Sequence, residues 1–195
     1  MLPITHKIIS EHVYDNVKDH LGIELNKKSL IYGSIKPDIA PRLLLLDHFK
    51  PQSFSFIMHE ALELSKHSLV SNSEFLKLFS RQIGVVTHFI ADFFCVPHND
   101  RLTYENNFFS HMRYETNLHM QFRDFEEKLN IEKSHFNVDN FSVSTIQNVV
   151  DFLHNQYQLR GESTINDVKS SIYAASVVAM YIAYHATKNY SFRVA

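Results

Sequence analysis

The chain has 195 residues, with 45% hydrophobic side chains and a formal net charge of −2. That is enough apolar material for one domain with a real core, and too little positive charge to support a nucleic-acid binder on composition. Four glycines and five prolines suit a helical chain better than a turn-rich β protein, and a lone cysteine, Cys95, excludes an intramolecular disulfide.

Taken in order, the predicted elements are all helical. Thr5 is placed to cap a first helix, with Ile8, Ile9, Val13 and Val17 as its apolar stripe and Gly22 at its end. The stretch from Tyr32 to Pro41 reads as a loop, since it carries a glycine and two prolines. A short helix is expected over Arg42 to Phe49, and another from Ser53 carrying Phe56, Ile57, Leu62 and Leu64. A long helix is predicted from Ser73 to about Val96, where Pro97 should end it. A connector over Asn99 to Thr103 leads to a helix from about Asn106 to Leu129, followed by an irregular polar stretch over 130–142. Helices over Val143 to Leu159 and Ile165 to Lys188, separated by Gly161, complete the chain. The expectation is a single all-α domain over 1–195, with six or seven helices.

The N-terminus lacks a basic region and a long apolar run, so no secretory leader is expected. The longest apolar stretch, Ile172 to Ala186, is too short and too interrupted to span a bilayer. A cytoplasmic location is the corresponding expectation.

Histidine is the compositional outlier, with 13 residues. Five metal-capable side chains crowd one segment: His88, Asp92, His98, His111 and Glu115. His88 and Asp92 are spaced i, i+4, as are His111 and Glu115, which puts each pair on one helical face. His98 follows Pro97, where the chain breaks and can turn back toward the same face. Apolar neighbours Val85, Phe89 and Phe93 imply burial of the first pair, and a buried ionisable pair needs a partner such as a metal. Sites built from His and carboxylates without Cys are typical of hydrolytic zinc centres.

Other motifs fall away. His59-Glu-Ala-Leu-Glu63 is not the helical zinc-protease pattern, although His59 is a rival to His48 as a ligand. There is no His-Asp dipeptide, Gly-rich phosphate loop or serine elbow. Glu132 to His135, the one E-x-x-H, lies in the irregular stretch, against a di-iron bundle. The aromatics Tyr104, Phe108, Phe109 and Tyr114 flank the ligands as core or as pocket wall, and Arg113 is expected to face solvent.

The spacing H-x3-D-x5-H-x12-H-x3-E resembles that of the zinc-dependent phospholipases C, whose all-helical fold is shared with zinc-dependent single-strand nucleases. Upstream, Thr5-His6, Asp38 in Lys-Pro-Asp-Ile, and His48-Phe49 match the same family's pattern, so the resemblance runs from Thr5 to Glu115. It implies two or three zinc ions. His48, His88 and Asp92 would hold the first, and His98, His111 and Glu115 the second. Asp92 would bridge to a third that also takes His6. Asp38 would be a metal-linked carboxylate or the general base. The implied activity is hydrolysis of a phosphodiester, phospholipids included, with transient contact at a membrane surface. The alternatives are a single-strand nuclease, acting on nucleic acid, and a non-catalytic zinc-binding relative. In secreted family members an N-terminal Trp chelates the third zinc; this chain has no Trp, and the Met1 amine, five residues before His6, is the group at that place. The short 98-to-111 interval and the final Glu lean toward the phospholipase branch.

Overall fold

The computed structural model describes residues 1–69, 72–99, 108–138 and 142–194. Among these there are eight α-helices and no strand: α1 (Pro3–Leu21), α2 (Lys27–Ile39), α3 (Lys50–Ser65), α4 (Ser73–Asp92), α5 (Val96–Asn99), α6 (Phe108–Arg123), α7 (Val143–Leu159) and α8 (Thr164–Val194). The all-α expectation stands, with one or two helices more than expected. No helix of the described residues is long and apolar enough to cross a membrane.

The long C-terminal helix α8 is the pillar of the core. Every residue from Ala174 to Ala183 is buried along it, so its middle is enclosed on all sides, as a helix surrounded by others must be. It packs against α1, α3, α4, α6 and α7. Its alanines let those neighbours approach closely.

Several boundaries differ from the sequence reading. Helix α1 starts at Pro3, whose fixed φ suits a first turn, so Thr5 is a buried helical residue rather than a cap. Gly22 ends α1 as predicted, at φ 66°. The expected loop over 32–41 is instead the C-terminal half of α2, with Pro37 inside its last turns. Packing overrides the local signal: a Cβ on Gly33 would sit 2.0 Å from the Arg81 carbonyl oxygen, and one on Gly84 would sit 2.2 Å from that of Leu30. The two glycines are what allow α2 to lie directly on α4.

The helix expected over 42–49 is absent; residues 41–45 form turns. Four successive leucines offer no helical stripe, and Leu44 and Leu45 are exposed. Helix α3 begins at Lys50, three residues before Ser53. Helix α4 stops at Asp92, four residues early, and Pro97 falls inside the short α5. Helix α6 ends at Arg123, and a 3₁₀ turn over Lys133–His135 interrupts the irregular stretch. Most of the connector over 99–103, with Tyr104, lies outside the described residues. Helix α7 matches its predicted span.

Candidate metal centre

The ends of five helices and one turn converge on Asp92. His6 comes from α1, Asp38 from the end of α2 and His48 from the turn before α3. His88 and Asp92 close α4, His98 lies on α5, and His111 and Glu115 share one face of α6. Each of the eight residues singled out in the sequence therefore reaches this one region. His59, the rival to His48, is exposed on α3, with its ring against the Ser55 carbonyl.

Asp92 is fully buried and its two oxygens face different partners. Oδ2 lies 2.8 Å from His48 Nδ1 and 3.3 Å from His88 Nε2. Oδ1 lies 3.3 Å from His6 Nε2 and 2.8 Å from the Met1 amine. The His48 and His88 nitrogens are 3.2 Å apart, and Asp38 Oδ1 stands 3.6 Å from His88 Nε2. His6 and His88 stack with ring centroids 3.7 Å apart.

The second group sits alongside. His98 Nε2 and His111 Nε2 lie 3.3 and 3.1 Å from Glu115 Oε1. The Met1 amine joins the two groups, 2.7 Å from His98 Nε2 and 3.3 Å from Glu115 Oε1. Three sets of donor atoms lie within 4.8 Å of one another: His6, His88 and Asp92; Asp38, His48 and His88; and His98, His111 and Glu115.

Local structure orients these donors. Ser34, on the face of α2 that Gly33 brings against α4, accepts a hydrogen bond through its carbonyl from His88 Nδ1, at 2.7 Å. That fixes the imidazole tautomer and leaves the Nε2 lone pair facing the cluster, the arrangement seen behind metal-bound histidines. Sequence reasoning missed Ser34, because a backbone carbonyl leaves no motif.

Electrostatics favour ligation. Burial, helped by the neighbouring His88, lowers His6 to a pKa of about 3, so the ring is neutral at neutral pH. Burial likewise lowers His98. Burial pushes Asp92 up, but the Met1 ammonium and the His98, His6 and His88 rings outweigh it and hold the carboxyl well below its ordinary range. Glu115 follows the same balance: burial opposes ionisation, and the His98 hydrogen bond and Met1 charge hold it down to about 2. Burial raises Asp38 instead, partly offset by His88.

The donor set fits zinc. Among the described residues, both ring nitrogens of buried His6 and Oδ2 of Asp38 have no hydrogen-bond partner, although burying such atoms unsatisfied is costly. A cation among these nitrogens and oxygens satisfies them, and imidazole with carboxylate suits zinc.

Residues 5–164 match the family model of zinc dependent phospholipase C. The chain belongs to this family. The match covers α1 to α7 and each of the eight residues above, ending at the first residue of α8. No curated protein and no solved structure matches the chain. For a zinc-dependent phospholipase C family member, the crowding of His and carboxylate donors around Asp92 is the feature that a zinc requirement calls for.

Proposed function

We propose that this chain is a zinc-dependent phosphodiester hydrolase of the phospholipase C type. The observation that carries the reading is Asp92, whose two oxygens address two separate sets of nitrogens, as a carboxylate bridging two metals must. In this reading His48, His88 and Asp92 hold one zinc, with Asp38 beside them. His98, His111 and Glu115 hold a second. His6 and the far oxygen of Asp92 would take a third.

Bound zinc supplies Lewis acidity, which lowers the pKa of water and neutralises the phosphoryl oxygens. The chain's own residues do the rest. Asp38 is only partly buried, with a carboxyl whose proton affinity is raised by burial; it accepts the proton from the attacking water. The water oxygen forms a bond to phosphorus, the bond from phosphorus to the departing alcohol breaks, and that alcohol takes up a proton from solvent. The buried rings of His6, His88 and His98 keep the reaction zone dry and its electrostatics strong.

The exposed Leu44 and Leu45, shortly before His48 in the chain, support a lipid substrate. They expose apolar side chains three and four residues before His48, a feature suited to contact with a membrane surface that presents phosphodiesters. Cytoplasmic placement belongs to the same proposal, and cell fractionation tests it.

The deciding experiment combines metal analysis of protein purified without chelator with three substrates assayed side by side: a chromogenic phosphocholine ester, a bis-nitrophenyl phosphate and single-stranded DNA. Two or three zinc per chain and turnover of the phosphocholine ester are expected. Turnover of DNA alone would replace this reading with a nuclease. Full zinc with no turnover would leave a non-catalytic zinc-binding relative.

A further inference from the structure

A buried carboxylate outside the metal cluster ties together the elements that carry the second ligand set. Asp167, in the first turn of α8, is fully buried. Its Oδ2 accepts from the Val96 backbone N–H at 3.0 Å and from the Tyr114 hydroxyl at 2.9 Å. Its Oδ1 accepts from the Tyr157 hydroxyl at 2.8 Å. No cation contacts this carboxylate among the described residues.

Two of these donors sit beside ligands. Val96 is the first residue of α5, the single turn that holds His98. Tyr114 precedes Glu115 on α6 and lies one turn from His111. A four-residue helix has almost no intrinsic stability, and its free N–H groups need an acceptor; Asp167 is the acceptor for the first of them. The same oxygen holds Tyr114, so α5 and α6 are fixed to one another through it. Burial raises the carboxyl to about 6, with the Val96, Tyr157 and Tyr114 hydrogen bonds pulling it back. A carboxyl kept in so unfavourable a place, among polar donors, needs a role to balance its cost.

We infer that Asp167 is a positioning residue that sets the distance between His98 and the His111–Glu115 pair, and thereby the affinity and geometry of the zinc site they form. It touches neither substrate nor metal. It lies past residue 164, where the family match ends, so membership of the family does not assign it. The inference rests on the metal reading above, and its test reads metal rather than turnover.

The structure supplies an internal control. Tyr114 and Tyr157 each give Asp167 one hydroxyl, but only Tyr114 lies on a helix that carries ligands. The experiment measures zinc per chain during graded chelator titration, together with the visible spectrum of cobalt-substituted protein and the melting temperature. His111→Ala identifies the zinc of the second site. Asp167→Asn is expected to weaken that zinc by about tenfold, the scale of losses from residues behind metal ligands, and to change the cobalt spectrum while the zinc nearest His48 is retained. Tyr114→Phe should give a smaller loss of the same zinc with little change in melting temperature. Tyr157→Phe should lower the melting temperature and leave zinc affinity and the cobalt spectrum alone. If Tyr114→Phe and Tyr157→Phe affect zinc equally, or Asp167→Asn weakens every zinc alike, Asp167 is merely structural and the inference is overturned. Should Asp167→Asn fail to fold, the two tyrosine variants decide. A wild-type chain that binds no zinc overturns the metal reading and this inference with it.

Discussion

The two ligand groups around Asp92 are built differently. His6, Asp38, His88 and Asp92 sit on α1, α2 and α4, long helices of which α2 and α4 interlock backbone to backbone at Gly33 and Gly84. His98, His111 and Glu115 ride on one short turn and on α6, and a hydrogen-bonded carboxylate from α8 holds that pair of elements together. Helix packing fixes the first group, and polar contacts fix the second. The turn between them, Phe93 to Cys95, is pinned from α7 as well, because His154 Nε2 donates to the Phe93 carbonyl at 3.1 Å. A close-packed interface resists deformation more than a few hydrogen bonds do, so the two groups should respond differently to change.

Asp92→Asn should have the largest effect, because it attacks the one residue whose two oxygens face both the His48–His88 nitrogens and His6. Removing a buried charged partner costs ~4 kcal/mol, or about 10³-fold. Zinc per chain, read by elemental analysis, should fall by more than one equivalent, with hydrolysis lost alongside. Loss of a single zinc would restrict Asp92 to one site.

Gly84→Ala isolates the packed group. The added methyl would collide with the Leu30 carbonyl, and overpacking of this kind costs ~3 kcal/mol, measurable by chemical denaturation. Zinc at the His48–His88 site should weaken while the zinc held by His111 persists. Equal weakening of both would show that the groups are not independently supported.

Asp38→Asn separates chemistry from binding. Loss of a general base should lower kcat by ~10²-fold, with less zinc lost than in Asp92→Asn. Zinc loss as complete as that of Asp92→Asn would make Asp38 chiefly a ligand.

The smallest effect is expected at His154, which supports the turn between the groups. Burial, with Lys50 nearby, lowers its pKa to about 4. The folded state therefore favours the neutral ring more than the unfolded chain does, with its ordinary pKa of about 6.5. The stability this gives is full above pH ~6.5 and is lost as pH falls from there toward 4. His154→Gln should flatten that part of the stability curve in urea unfolding of zinc-free protein. An unchanged slope would remove His154 from the account.

The asymmetry between the groups also explains what the sequence could reveal. The i, i+4 pairs His88/Asp92 and His111/Glu115 were readable because a helix converts spacing into a shared face. Helix α7 was readable to its ends because its apolar stripe is regular. Helix α2 was not, since Gly33 and Pro37 look like loop residues until α4 is known to lie against them. Asp167 was invisible for a related reason. An acid in the first turn of a helix is a common capping feature, and only the fold brings Val96, Tyr114 and Tyr157 to it. The candidate ligands were thus legible as residues, and the structures supporting them were not.

The central claim is that Asp92 joins two metal sites with its two oxygens. An anomalous-scattering map recorded at the zinc edge tests it most directly. The account predicts at least two peaks flanking Asp92, one shared with His48 and His88 and one with His6, and a further peak among His98, His111 and Glu115. A single peak touching only one oxygen of Asp92, or no peak within reach of it, would contradict the account.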